Sequence, residues 1–240
     1  MISVCIATYN GGKYIRQQIE SILPQIGPED EIVISDDGST DNTYTEIESF
    51  RSSQIHLFKH SERLGYTGNF ERCLTLSKGD IIFLCDQDDV WLPNKVDLCL
   101  RELDNSDLVV TNARILTEDG RVSDETYFDM RKPYKSFWGN IMKFGYLGCC
   151  MCFKRTILRQ ALPFPKKRQW CTHDNWLYMI GSAFYNVSKI DTPCIYYRRH
   201  SCNASGGGFA KSTSLFFKLS YRFYLMYHII VRKIKDRLKF

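Results

Sequence analysis

The sequence predicts an α/β fold on a mostly parallel central sheet, and three observations carry that prediction. Short apolar runs recur through the first half with amphipathic stretches between them. Polar clusters follow three of these runs: "TYN" after the first, "SDDGSTD" after the second and "CDQDD" after the fourth. The 240 residues, 44% hydrophobic and 25% charged, suit a soluble globular protein of one main domain with an appendage.

Strands are expected at Ile2 to Ala7, Glu31 to Ser35, Ile55 to Phe58, Ile81 to Cys85 and Leu108 to Thr111. Between the first two, Tyr14, Ile15, Gln18, Ile19, Ile22 and Leu23 keep helical spacing, and Pro24 ends the segment as a crossover helix. Thr40 and Asp41 precede a second helix, and Asn69 opens a third at "NFERCLTL", each as an N-cap. Beyond residue 112 the alternation weakens. A charged, looped stretch from Arg114 to Lys135 leads to "YLGCCMCF", to a helix around His173 to Phe184 and to a strand in "IYYRRH".

Ten cysteines sit mostly inside apolar runs, where free thiols behave as small hydrophobes, and a reducing cytosol is expected. Cys149 and Cys152 form a C-x-x-C pair without a second pair at zinc-finger spacing, so a buried strand is the expected setting. The start, Met1 to Ala7, has no basic leader region and reads as mature protein. Of the net charge of +5, the segment from Ser214 to Phe240 contributes +6 and the rest −1.

In open α/β sheets ligands collect beyond the carboxyl ends of the strands, where all three polar clusters fall. Asp86 and Asp88 stand two apart at such an end, so alternation aims both carboxylates to one side. Their mutual repulsion is relieved by a hard divalent cation, Mn²⁺ or Mg²⁺, which completes its shell with phosphate oxygens. The same residues also suit a capped strand-to-helix turn. An EF-hand is excluded, because Trp91 and Asp97 occupy the positions that need Gly and Glu.

Taken together, "VCIATYNGGKYI", "EIVISDDGSTDNT", "KGDIIFLCDQDDVWLPNKV" and "YYRRHSCN" resemble, in order and spacing, the family 2 glycosyltransferases with their GT-A fold. The similarity runs from Ile2 to about Asn203 and looks closest to bacterial transferases of surface-polysaccharide assembly, including rhamnosyltransferase-like members. The resemblance implies that Thr8, Tyr9 and Asp36 hold the nucleoside base with Asp37 nearby. It likewise implies Asp86 at the ribose, Asp88 as metal ligand, and His200 near the diphosphate, completing the metal shell. Gly65 and Asn69 would shape the phosphate side, although Arg63 stands where the family often has Asn. In "CTHDNWLY", Asp174 matches the family's general base; His173, which replaces an acidic residue, is the alternative base or a group orienting the acceptor sugar.

The expected organisation is a glycosyltransferase domain over 1–212, with a nucleotide-sugar-binding half at 1–112 and an acceptor-side half at 113–212, then a basic amphipathic helix at 213–240. The implied reaction is an inverting transfer from a UDP- or dTDP-linked sugar to a saccharide or lipid-linked acceptor. A non-catalytic sugar-nucleotide- or polysaccharide-binding protein and a nucleotidyltransferase are the alternatives. The tail's longest charge-free run, Phe223 to Val231, is too short to span a bilayer and suits an anionic membrane surface or packing on protein. No nucleic-acid motif accompanies its basic residues. Expected partners are therefore the nucleotide sugar, the acceptor, a peripheral membrane contact on the cytoplasmic face and a second copy of the chain.

Overall fold

A computed structural model describes residues 1–201, 203 and 214–238. Nine strands form one sheet in the order β3-β2-β1-β4-β8-β6-β9-β5, with β7 beside β6. In chain order the first half gives β1 (Ile2–Thr8), α1 (Ile15–Ile22), β2 (Glu31–Asp36), α2 (Thr43–Glu48), β3 (Ile55–Lys59), α3 (Gly65–Leu76) and β4 (Ile81–Asp86). These strands pair in parallel; β1, β2 and β4 are almost wholly buried because helices cover the sheet, while the edge strand β3 is only partly covered. Register positions the site: Thr8 pairs with Asp36 of β2, and Ala7 with Asp86 of β4, so three polar strand ends share one edge.

Then follow β5 (Val90–Trp91), α4 (Lys95–Leu103), β6 (Leu108–Thr117), β7 (Val122–Thr126), α5 (Tyr127–Arg131), α6 (Phe137–Met142), β8 (Met151–Lys154) and α7 (Leu158–Ala161). The chain continues through α8 (His173–Phe184) and β9 (Val187–Arg199) to α9 (Leu215–Arg237). Strand β8 runs antiparallel to both β4 and β6, whereas β9 is parallel to β6, so the parallel core gives way to a mixed layer. Residue 112, where the two halves were expected to meet, lies inside β6.

Several local expectations need correction. The stretch from Arg114 to Lys135 is not a loop: it holds the end of β6, all of β7, and α5, whose Thr126–Asp129 capping box starts the helix. Strand β9 begins well before "IYYRRH"; its register shifts opposite Thr111 to Ala113, where Pro193 pairs with Asn112. Asn69 is no N-cap, since α3 begins at Gly65. Its buried amide instead donates to the carbonyls of Thr8 at 3.1 Å and Ser35 at 2.8 Å, tying two strand ends together. Helix α2 starts at Thr43 with Asn42, not Thr40 or Asp41, in the N-cap position; Asp41 accepts the Thr43 N–H at 3.1 Å from one residue further out. Cys149 belongs to a 3₁₀ turn (Gly148–Cys150) and Cys152 to β8, both buried. All nine described cysteines are buried free thiols.

Helix α9 docks on the domain. Leu225 and Ile229 are buried in the core, the Tyr221 hydroxyl donates to the Ile141 carbonyl at 3.4 Å, and Arg232 donates to the Leu162 and Pro163 carbonyls at 3.1 and 2.5 Å. Its opposite face is also apolar and exposed. Among the described residues no helix is long and apolar enough to cross a membrane.

Candidate functional site

The strand ends open onto a cleft of about 310 Å³ lined by the ends of β1 and β4, the start of α3 and the start of α8. Its floor is the end of β4. Asp86 faces the cleft yet is surrounded by protein, and burial, reinforced by the charges of Asp88 and Asp174, pushes its carboxyl up to about 7. Asp88 is buried; its Oδ2 lies 2.6 Å from His200 Nε2 and accepts from the Asn203 amide at 3.0 Å. Asp89, for which no role is expected from the motifs, accepts the Arg198 N–H at 2.9 Å through Oδ1, while its buried Oδ2 has no hydrogen-bond partner. Burial, then the charges of Asp88 and Asp86, raises the Asp89 carboxyl well above the usual range.

This donor set fits a divalent cation. Three carboxylates share one strand end, one buried carboxylate oxygen is orphaned, and an imidazole nitrogen already touches Asp88. Ligand atoms of Asp86, Asp89 and Cys149 also lie within 4.8 Å of one another. Burial raises the Cys149 thiol, so it stays protonated and is a poor ligand for a hard ion. The fit therefore favours oxygen and imidazole donors around Asp88, the side that holds His200.

One titration checks this. The native state holds a proton on Asp86 that the unfolded chain releases near pH 4, so stability without metal falls as pH rises from about 4 to about 7. Asp89, also raised, adds to the same slope. Thermal melts in EDTA should show Tm falling across this window, and Mn²⁺ should raise Tm far more at pH 7.5 than at pH 5. An equal Mn²⁺ effect at both values would remove the carboxylate cluster as the cation site.

The β1 end of the cleft is organised by a residue that sequence reasoning missed. Gln87, between the two aspartates, accepts through Oε1 from the Thr8 hydroxyl at 2.7 Å and the Tyr9 N–H at 2.8 Å. Its amide donates back to the Tyr9 carbonyl at 3.2 Å. Strand β4 ends at Asp86 and a turn holds Gln87 and Asp88, so strand alternation carried no signal for Gln87. Arg63 stacks its guanidinium 3.6 Å above the Tyr9 ring and lines the cleft.

The two loop aspartates divide their work. Asp36 is fully buried and accepts from the Gly38 and Ser39 N–H groups, the Ser39 hydroxyl and the Tyr44 hydroxyl, so its carboxylate holds the loop and does not line the cleft. Asp37 does line it, and accepts the N–H groups of Leu64 at 2.6 Å and Gly65 at 2.9 Å at the start of α3. Gly65 takes φ +69° there, a left-handed conformation that suits glycine.

The far wall comes from α8. Asp174, in its first turn, lines the cleft, and its Oδ1 accepts from the Thr172 hydroxyl at 2.5 Å and the Asn175 N–H at 2.7 Å. His173 is buried beside it, its ring stacked on Phe70 with centroids 4.0 Å apart. Arg198 points inward, donating to the Asp88 carbonyl at 2.7 Å and the Gln17 side chain at 2.6 Å. Most of "SCNASGGGF", expected to close over a donor, lies outside the described residues.

Residues 3–162 match the family model described as Glycosyl transferase family 2. The chain belongs to that family. As a family 2 glycosyltransferase it is 26% identical to the Escherichia coli UDP-Glc:alpha-D-GlcNAc-diphosphoundecaprenol beta-1,3-glucosyltransferase WfaP, covering 87% of this chain and 81% of that one. It is 29% identical to the Shigella flexneri dTDP-rhamnosyl transferase RfbG, over 84% and 73%. An uncharacterized glycosyltransferase of Nostoc is 26% identical, and the chain spans 66% of its length. The GT-A fold is that of residues 1–349 of S. aureus TarS in complex with UDP-GlcNAc, with TM-score 0.71, 18% identity, and coverage of 96% of this chain and 66% of that one.

Proposed function

We propose that this glycosyltransferase moves a sugar from a UDP- or dTDP-linked donor to a saccharide or lipid-linked acceptor in surface-polysaccharide assembly, with inversion at the anomeric carbon. The observation that carries this reading is that Asp174 and the acidic end of β4 open onto one cleft. Similarity to WfaP, a UDP-Glc transferase acting on a diphosphoundecaprenol-linked sugar, and to RfbG, a dTDP-rhamnosyl transferase, supports the donor classes and, through WfaP, a lipid-linked acceptor.

In this reading Thr8 and Tyr9 receive the nucleoside base with the Asp36–Asp37 pair, Asp37 from the cleft wall and Asp36 through the loop it holds. Asp86 faces the ribose, and Gly65 and Asn69 keep the phosphate side in place. Asp88 and His200 would hold Mn²⁺ or Mg²⁺, which supplies charge neutralisation at the leaving diphosphate. Asp174 accepts the proton of an acceptor hydroxyl, whose oxygen bonds to the anomeric carbon as the bond to the β-phosphate oxygen breaks. His173 is the alternative base. Calorimetric titration with UDP, dTDP and GDP, each with Mn²⁺ or EDTA, tests the donor site. Metal-dependent binding of UDP or dTDP is expected, and no binding of any of the three would overturn the reading.

The outer face of α9 extends this proposal to an anionic membrane surface on the cytoplasmic side. Phe216, Leu219, Phe223, Tyr227, Ile230 and Ile234 recur at helical spacing opposite the docked face, and Phe216 and Phe223 are 79% and 73% exposed. Trp138 and Met142 of α6 add to the apolar surface, since Arg222 of α9 donates to the Ile141 and Met142 carbonyls. Lys218, Lys233, Lys235 and Arg237 supply positive charge, and the helix's one acidic residue, Asp236, accepts from Gln160 on the domain. Apolar surface rimmed by cations matches an anionic lipid surface. The protein should sediment with phosphatidylglycerol vesicles and not with phosphatidylcholine alone, and Phe223→Glu with Ile230→Glu should abolish this. Failure to sediment, with a concentration-dependent dimer in light scattering, would assign the face to a second copy.

A further inference from the structure

The segment between α7 and α8 joins the cleft to the exposed face of α9, and it is pinned on both sides. On the cleft side Arg168 donates to the Leu64 carbonyl at 2.9 Å and pairs with Glu71 at 3.2 Å, while the Phe164 N–H donates to Glu71 at 2.7 Å. Gly68 of α3 makes room, because a Cβ there would overlap the Arg168 guanidinium. On the other side the Lys167 N–H donates to the Tyr224 hydroxyl at 3.0 Å, and Trp170 meets the Tyr224 ring edge-on at 5.6 Å. Tyr224 follows exposed Phe223 and stands one turn before exposed Tyr227. Directly after the segment come Thr172 and Asp174, which line the cleft.

Two exposed cations stand on this segment, Lys166 and Lys167, and neither ammonium has a carboxylate partner among the described residues. The Lys167 ammonium lies 4.1 Å from the Trp170 ring centroid, a contact that holds a cation without neutralising it. We infer that Lys166 and Lys167 bind the diphosphate of a lipid-linked acceptor. Such an acceptor has its chain in the bilayer and its sugar at Asp174, so the diphosphate is the group that lies between. The segment from α9 to Asp174 spans that same interval, and its unpaired ammonium groups match the charge of phosphate oxygens. The donor's diphosphate has a separate counter-charge in the cation proposed at Asp88 and His200, and neither lysine lines the cleft.

This inference rests on the lipid-linked acceptor and the membrane face of α9 proposed above, and the experiment separates them. Phosphatidylcholine vesicles carry either undecaprenyl diphosphate or phosphatidylglycerol, matched in total negative charge. They are titrated into wild type, into Lys166→Gln with Lys167→Gln, and into Lys166→Arg with Lys167→Arg. Wild type should bind the diphosphate vesicles about tenfold more tightly than the charge-matched ones, as expected for one charge-assisted contact. Lysines near any anionic surface are attracted to it, so the ratio and not the absolute affinity is the readout. The glutamine pair should abolish the preference and leave nucleotide affinity unchanged, and the arginine pair should keep the preference. Equal wild-type binding to both vesicles would overturn the inference, as would a preference that survives in the glutamine pair. Nucleotide binding weakened in that pair would assign the lysines to the donor instead. Inorganic diphosphate bound by wild type as tightly as the lipid-borne form would assign them to a soluble anion and overturn the inference too. If wild type sediments with neither vesicle, the membrane reading of α9 itself falls, and this inference with it.

Discussion

Asp174→Asn should lower kcat about 10²–10⁴-fold while leaving nucleotide affinity unchanged, the span usual for removal of a general base. The side chain has what that role requires. It stands in the first turn of α8, faces the cleft that holds Asp86 and Asp88, and is oriented through Oδ1 by the Thr172 hydroxyl and the Asn175 N–H. Those bonds leave Oδ2 to accept a proton. Asparagine preserves size and the Oδ1 contacts, so the change removes basicity with little effect on shape. Turnover measured beside calorimetric nucleotide binding checks it. Retained turnover would transfer the base role to His173, and loss of nucleotide binding in parallel would mean that Asp174 shapes the cleft.

Lys95→Met should destabilise the fold by about 3–5 kcal/mol, the cost of breaking a buried charge arrangement from one side. Lys95 is fully buried in α4, where Nζ donates to the Cys149 carbonyl at 2.9 Å and lies 4.4 Å from the Trp91 ring centroid. Its charge opposes the carboxylates at the end of β4 and pulls Asp86 down against the effect of burial. Methionine fills a similar volume, so the loss comes from charge and from an unpaired carbonyl. In a chain of this length Tm should fall by about 10 °C. Mn²⁺ should recover part of that fall, since a cation replaces the missing positive charge. A Tm within 2 °C of wild type, with metal absent, would show that the acidic cluster does not depend on Lys95.

Much of this was legible in the sequence, and the reasons are local. Parallel strands with polar ends place Thr8, Asp36 and Asp86 in one row, whereas Asp88 reaches the same cleft through the turn after β4 and not by alternation. Helix α8 was read at its observed bounds because apolar spacing and the Thr172–His173–Asp174 start agree. What escaped depends on partners distant in the chain. Lys95 meets a carbonyl 54 residues away, and Gln87 meets Thr8 and Tyr9 at 79 and 78 residues. Asn69 resembled a cap only because the true start of α3 is held by Asp37, across an intervening strand. The polar β7 strand carries too few apolar residues for any periodicity to show.

Gln87 has a consequence beyond its own bonds. It lies between Asp86 and Asp88 in the chain and grips Thr8 and Tyr9 through three hydrogen bonds, so the residues proposed to hold the cation and those proposed to meet the nucleoside are parts of one rigid piece. A ligand that orders either end lowers the entropic cost of ordering the other. A cation and a nucleotide bound as proposed would thereby be thermodynamically linked: whatever factor the cation added to nucleotide affinity, the nucleotide would return to cation affinity.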